Sequence, residues 1–296
     1  MLKRVALFII TNLAVIFILS IVLQLLGVQP YLTQKGINYQ ALLIFASVFG
    51  FGGAFISLLM SKWMAKMAMG VQIIKQPRNA DESWLINTVQ KLAKQVGVGM
   101  PEVGIYQSPD PNAFATGASR NNALVAVSSG LLQNMTQDEV EAVLGHEMSH
   151  VANGDMVTLT LLQGILNTFV IFFARIAAYI VSQAVSRNDD SGAVGGGVYF
   201  LVAIVFQIVF GILASMIVMW FSRFREFRAD KGSAKLLGRD KMIKALQRLE
   251  QCYDMTTDEK PTSIAAFQIS AHSKFGRLFA SHPPLKARIE ALQKMG

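Results

Sequence analysis

The chain has 296 residues, of which 52% are hydrophobic and only 16% charged, against about 25% charged in an average soluble domain. With a mean hydropathy of +0.41, this excludes an ordinary soluble globule and indicates a membrane protein with an attached soluble part. The net charge of +8 does not point to nucleic acid: no dense Lys/Arg block with interleaved aromatics occurs, and many cations sit at the ends of apolar runs, where an anionic membrane face attracts them.

The first apolar run, Val5 to Gly27, is uncharged and long enough to span a bilayer. It offers no small-residue cleavage site near Val22-Leu23-Gln24-Leu25-Leu26, so it reads as an uncleaved anchor. A second run covers Gln40 to Met60, with Gly50, Gly52, Gly53 and Ala54 as small residues suited to close helix packing or simply common in membrane helices. Lys3 and Arg4 precede the first run, Lys62 and Lys66 follow the second, and only Lys35 lies between them. The positive-inside rule then puts the N-terminus and the segment after Lys62 in the cytoplasm.

Residues 63–155 are less apolar. Asp81 to Gly97 has an apolar stripe of Leu85, Val89, Leu92 and Val96 that predicts an amphipathic helix. Three β-rich pieces follow, Glu102–Tyr106, Asn112–Gly117 and Ala123–Val127, separated by turn residues, and predict a three-stranded sheet. The sheet leads into Thr136, which with Glu139 forms a capping box opening a helix. That helix has an apolar face of Val140, Val143 and Leu144 and stops at Asn153-Gly154, a left-handed C-cap.

Asp155 then reads as the cap of a third apolar run, Met156 to Val185, interrupted by Arg175. Gln163 and Asn167 share a face there, and as uncharged amides they read as helix-packing groups. Arg187, Asp189, Asp190 and Gly195-Gly196-Gly197 form a polar turn, and the fourth run, Val198 to Phe221, ends at Arg223, Arg225, Arg228 and Lys231. The third and fourth runs read as a hairpin through the membrane, with a partly immersed hairpin as the alternative. The helix continues through Glu226 and Asp230, which share a face. Asp240 to Gln251 is a further soluble helix, and Ser281-His282-Pro283-Pro284 opens a last one ending near Lys294.

The chemistry centres on Gly145-His146-Glu147-Met148-Ser149-His150, a His-Glu-x-x-His sequence. On a helix, His146 and His150 share a face and can hold one divalent metal, with Glu147 beside them. Cys252, the one cysteine, can build neither a disulfide nor a multi-thiolate site. A catalytic zinc needs a third protein ligand and an open position for water. Glu226 is the candidate, since the membrane hairpin returns it to the face where His150 lies, and Asp230 could accept the free N–H of a ligand histidine. Zinc would acidify its bound water, and Glu147 would take the proton and pass it to the leaving amine. His282 is a candidate donor to the oxyanion, with Arg228 and Arg288 behind it; His272 reads as a surface residue.

His146-Glu147-x-x-His150, Asn153-Gly154-Asp155, Glu226-Phe227-x-Ala229-Asp230 and Ser281-His282-Pro283-Pro284 together resemble the HtpX family of bacterial membrane zinc proteases. The likeness covers nearly the whole chain, including the N-terminal membrane pair and Asn112-Ala113-Phe114-Ala115-Thr116-Gly117. The resemblance implies one Zn2+ on His146, His150 and Glu226, Glu147 as general base, and kinship with prenyl-protein endopeptidases and with thermolysin-like enzymes whose third ligand is a glutamate. It further implies quality control of misfolded or damaged inner-membrane proteins, and Asn112, Ala113, Phe114 and Ala115 as the edge strand that pairs with substrate backbone. An ATP-dependent membrane protease as functional partner is implied by the resemblance alone.

The expected fold is membrane α-helical with about four transmembrane helices and a cytoplasmic α+β zincin-like protease domain carrying a small β-sheet. Its parts are a transmembrane pair at 1–62, a first cytoplasmic part of the protease domain at 63–155, a transmembrane hairpin at 156–222 and a second cytoplasmic part at 223–296. The expected location is the bacterial inner membrane, multi-pass, with both termini and the site cytoplasmic. Two other classes are weighed against this reading. A transporter or channel subunit should carry paired ionisable groups at mid-depth, where only Arg175 stands; a catalytically silent metal scaffold would not need Glu147.

Overall fold

Asn79 and Gly97 mark where local chemistry starts and stops the first soluble helix: the Asn79 side chain accepts from the Glu82 N–H, and Gly97 adopts the left-handed conformation at its end. This helix belongs to a computed structural model that describes residues 31–33, 36–186, 194–259 and 282–295, with isolated positions 17, 19, 21, 24 and 25. The described helices are α1 (Tyr39–Met69), α2 (Ala80–Val96), α3 (Ser129–Asn134), α4 (Gln137–Asn153), α5 (Asp155–Ser186), α6 (Val194–Leu237), α7 (Arg239–Glu259) and α8 (Leu285–Gln293). The strands are β1 (Leu32–Thr33), β2 (Gly36–Ile37), β3 (Gln72–Ile73), β4 (Glu102–Tyr106), β5 (Ala113–Ser119) and β6 (Asn122–Ser128). The first apolar run falls almost wholly outside the described residues, as do the expected polar turn at Arg187, Asp189 and Asp190, the surface residue His272 and the cap Ser281.

The chain divides into two compact units, residues 1–57 with 159–218 and residues 58–158 with 219–296. In the first unit, Gly50 of α1 faces Thr168 of α5 so closely that a Cβ would lie 2.4 Å from the Thr168 hydroxyl. Gly164, one turn before, faces Phe51. The helix-packing face of α5 is therefore Gly164 and Thr168. Gln163 and Asn167, expected to serve there, are exposed. Period-four spacing identifies residues that share a face, but it does not say which face meets a neighbour. Arg175 donates to Gln207 of α6 at 3.4 Å and lies 6.0 Å from the Phe45 ring centroid. Among the described residues, α1, α5 and α6 are long and apolar enough to cross a membrane, with mean hydropathy of 2.2, 1.9 and 2.7. They expose large side chains such as Leu59, Phe169, Leu201, Ile208 and Phe224, which a bilayer covers.

The second unit holds a four-stranded sheet in the order β3-β4-β6-β5. Its β4–β6 pair is parallel and its other pairs are antiparallel. The expected three strands are β4, β5 and β6; β3, a two-residue strand, is too short to show a period and was not expected. Central β6 is buried along both faces from Ala123 to Ser128, which is why it reads as a continuous apolar run. Between β6 and the motif helix lies the short α3, also not expected. Ser128 caps it, accepting from the Leu131 N–H while donating to the Asp110 carbonyl.

The core of this unit joins Leu85, Val89 and Leu92 of α2, Val103, Val125 and Val127 of the sheet, Leu144 and Met148 of α4, Met242 and Leu246 of α7, and Ile289 and Leu292 of α8. The apolar face of α4 is thereby held between the sheet and two later helices, which leaves its histidine face to be set by that packing. Leu144 is fully buried at its centre. Leu144→Ala is expected to cost about 2–5 kcal/mol, the usual range for a cavity left by a buried leucine, and thermal unfolding of the detergent-solubilised protein measures it.

Candidate metal centre

The capping box predicted for α4 is formed: the Thr136 side chain accepts from the Glu139 N–H, and the Glu139 carboxylate accepts from the Thr136 N–H at 2.8 Å. At the other end Gly154 has φ 67°, and its N–H reaches the His150 and Val151 carbonyls. A β-carbon would be strained in that conformation. The turn it permits starts α5 at Asp155. Asp155 was expected to cap this helix, but its carboxylate turns instead to His150 and Arg228. It is fully buried, and its carboxylate accepts from His150 Nδ1 at 2.7 Å and from the Arg228 guanidinium. The signal for this role was present in the sequence, an acid directly after the left-handed glycine that ends the motif helix, but a helix-starting acid has the same appearance.

Helix α6 brings Glu226 and Asp230, 2% and 1% exposed, against the two histidines. The approach depends on small residues on both helices. A Cβ on Gly145 of α4 would lie 2.8 Å from the Ser233 hydroxyl, and one on Gly232 of α6 would lie 2.4 Å from the Ser149 hydroxyl. Ser233 also donates to the Ala142 carbonyl at 2.7 Å, which ties the helices directly. His146 Nε2 and His150 Nε2 then lie 3.2 Å apart, with the rings edge to face. Glu226 places Oε2 3.4 Å from the first and Oε1 3.2 Å from the second. One ligand atom from each of His146, His150 and Glu226 falls within 4.8 Å of the others.

The far sides of both rings are held by carboxylates. His146 Nδ1 donates to Asp230 Oδ1 at 2.8 Å, as His150 Nδ1 does to Asp155. A proton held on Nδ1 leaves the Nε2 lone pair for a metal. Arg288 Nη2 also comes within 3.3 Å of His146 Nδ1; both are N–H donors and share the same Asp230 oxygen. Two imidazoles and a carboxylate, with a position left open, form a donor set that fits a divalent metal ion.

Burial by itself would lower the affinity of both histidines for protons. The Asp230 and Glu226 carboxylates outweigh it at His146, and Asp155 and Glu226 outweigh it at His150, whose pKa is pushed up to about 9. The charge of half-buried Glu147 adds to the effect on His150, so the glutamate of the motif acts electrostatically on the same site. His282, from the segment before α8, is exposed and donates from Nδ1 to Glu226 Oε2 at 2.8 Å; only its Nε2 remains for any other partner. Arg288 is buried against Asp230. Arg228, the other expected donor, is engaged by Asp155. Of the expected substrate strand, Ala113, Phe114 and Ala115 pair with Val127, Ala126 and Val125, and Asn112 directly precedes β5. This strand is at the open edge of the sheet and packs against α4.

The family model described as peptidase family M48 matches residues 79–296. Protease HtpX of Tolumonas auensis is 61% identical over 294 residues, with 99% of each chain covered. Protease HtpX of Thioalkalivibrio sulfidiphilus is 58% identical over 297 residues, again with 99% of each covered. Among solved structures, that of S. mikatae Ste24p matches with a TM-score of 0.64 at 15% identity, covering 99% of this chain and 67% of that one; this likeness is one of fold.

Two outcomes are expected from this geometry. Gly232→Ala forces α4 and α6 apart, because the new methyl meets both the hydroxyl and the Cβ of Ser149. Overpacking of this kind costs about 1–3 kcal/mol, and elemental analysis should find less bound metal, with partial recovery in Gly232→Ala/Ser149→Gly. The second concerns pH. A histidine with its folded pKa raised from 6.5 to about 9 stabilises the metal-free fold fully below 6.5, and that contribution is lost as pH rises through 9. The melting temperature of chelator-treated protein should fall across this interval. Metal affinity should rise over the same interval, as protons cease to compete.

Proposed function

The chain belongs to peptidase family M48, among the HtpX proteases, and is a membrane metalloprotease; from that premise we propose that its metal is a single zinc ion held by His146, His150 and Glu226. The observation that carries the ligand assignment is the convergence of two Nε2 atoms and one carboxylate, with Asp230 and Asp155 behind the two rings. Zinc held there would supply a Lewis acid for a peptide carbonyl and for water. Glu147 takes the proton of the attacking water and delivers it to the departing amine. Asp230 and Asp155 keep the ring protons on Nδ1, so each histidine binds as a neutral ligand through Nε2. His282, whose Nδ1 donates to Glu226, serves the oxyanion through Nε2 in the imidazolium form, the form in which both ring nitrogens donate.

The open edge of β5, from Ala113 to Ala115 with Asn112 before it, accepts an extended substrate by adding a strand. Backbone pairing demands little of the substrate side chains, which suits unfolded segments of many sequences. The proposed role is therefore cleavage of misfolded or damaged inner-membrane proteins, alongside an ATP-dependent membrane protease on the family resemblance alone. Lys62 and Lys66 after α1, and Arg223, Arg225, Arg228 and Lys231 after the apolar part of α6, favour a cytoplasmic site by the positive-inside rule.

A transporter or a silent metal scaffold is not favoured. The charged residue expected within the spans, Arg175, is taken up by Gln207 and the Phe45 ring, and the relatives bear the name of a protease. Glu147→Gln is expected to abolish cleavage of an unfolded protein such as casein while zinc stays bound. Wild-type turnover by that variant would remove Glu147 from the mechanism. Glu226→Ala is expected to lose zinc, and full occupancy by elemental analysis would remove Glu226 from the ligand set.

A further inference from the structure

Arg288 lies on the last helix, far along the chain from the motif, yet it is only 7% exposed. A buried guanidinium is tolerated only where acceptors meet its N–H groups. Here Nε donates to Asp230 Oδ2 at 2.7 Å and Nη2 to Asp230 Oδ1 at 2.5 Å, two parallel bonds in the fork geometry that arginine forms and lysine does not. The Oδ1 atom also accepts the His146 Nδ1 proton at 2.8 Å. The remaining nitrogen, Nη1, lies 3.5 Å from Glu226 Oε2.

We propose that Arg288 is a positioning residue of the metal centre, acting through Asp230 on His146. By gripping both oxygens of Asp230, it fixes the carboxylate plane that holds the His146 proton on Nδ1 and aims Nε2 at His150 Nε2 and Glu226. The site is therefore incomplete without α8, whose Ile289 and Leu292 are seated in the core and hold Arg288 in place. A role as oxyanion donor is disfavoured by the same contacts, because the side chain is buried and Nε and Nη2 already serve Asp230. The inference rests on the zinc-ligand assignment made above.

The test uses the full-length protein in detergent. Zinc affinity is measured by competition with a chromophoric chelator, and kcat and KM are measured at saturating zinc. Arg288→Lys keeps the charge and loses the fork. It is expected to weaken zinc binding about 10–100-fold, the range for partners that orient a ligand histidine, with kcat of the zinc-saturated enzyme within a few-fold of wild type. Asp230→Asn should lose affinity in the same range, and the double variant should bind no worse than Asp230→Asn alone. Unchanged affinity with kcat lower by about 10²–10³ would identify an oxyanion donor instead and overturn the proposal, as would additive losses in the double variant. If Arg288→Lys does not fold, Asp230→Asn approaches the same contact from its other end, and wild-type affinity there also overturns it. The wild-type titration separates the two levels: a wild-type chain that binds no zinc sinks the ligand assignment and the role of Arg288 with it, whereas wild-type zinc binding with unchanged affinity in Arg288→Lys sinks the role of Arg288 alone.

Discussion

The candidate metal centre depends on one close approach, that of α4 to α6 at Gly145, Ser149, Gly232 and Ser233. The histidines ride on one helix and Glu226 and Asp230 on the other, so the distance between helix axes sets the distance between imidazole and these carboxylates. A Cβ at either glycine would meet the opposite serine at 2.8 Å or less, and a ligand set whose atoms lie within 4.8 Å has no room for helices held further apart. The Ser233 hydroxyl on the Ala142 carbonyl fixes the register of the pair as well as its separation. Packing therefore does here what a short loop between ligands does in smaller metal sites.

Bringing two helices together in this way buries charge, and the rest of the site balances it. Asp155, Glu226 and Asp230 are almost wholly buried, and each is met by N–H groups: His150 and Arg228, with the Arg225 guanidinium nearby, around Asp155; His146, His150 and His282 around Glu226; His146 and Arg288 around Asp230. A buried ion network of this kind is weak evidence for stability, since desolvation offsets much of the attraction. Its value lies in orientation. Each imidazole has a carboxylate on Nδ1, so neither can rotate its Nε2 away without breaking a buried hydrogen bond. Among the described residues, the last helix enters the network through Arg288 and the segment carrying His282, and this ties the end of the chain to residues near its middle.

Much of this site was legible in the sequence, and the legible parts share a physical feature: they are local. The His146–His150 pair, the Thr136–Glu139 capping box and the Gly154 stop are relations across three to five residues, set by helix geometry alone. Glu226 and Asp230 follow from the same four-residue spacing. What escaped was tertiary. Asp155 looks like a helix cap until His150 is seen to take its carboxylate. Gln163 and Asn167 share a face as expected, but Gly164 and Thr168 make the contact, because α1 approaches from their side. Strand β3 has no period to display in two residues, and its place beside β4 depends on where α1 ends.

The sequence by itself determined the apolar spans, the motif helix with its ends, and the residue types able to bind a metal, because each is encoded in composition or in short-range periodicity. The tertiary structure decided which acids meet which histidines, that Arg288 and not a solvent contact grips Asp230, and that β5 lies at one edge of the sheet. Those side-chain pairings join residues from α4, α5, α6 and α8, and distance along the chain carries little information about distance in space until the helices have packed.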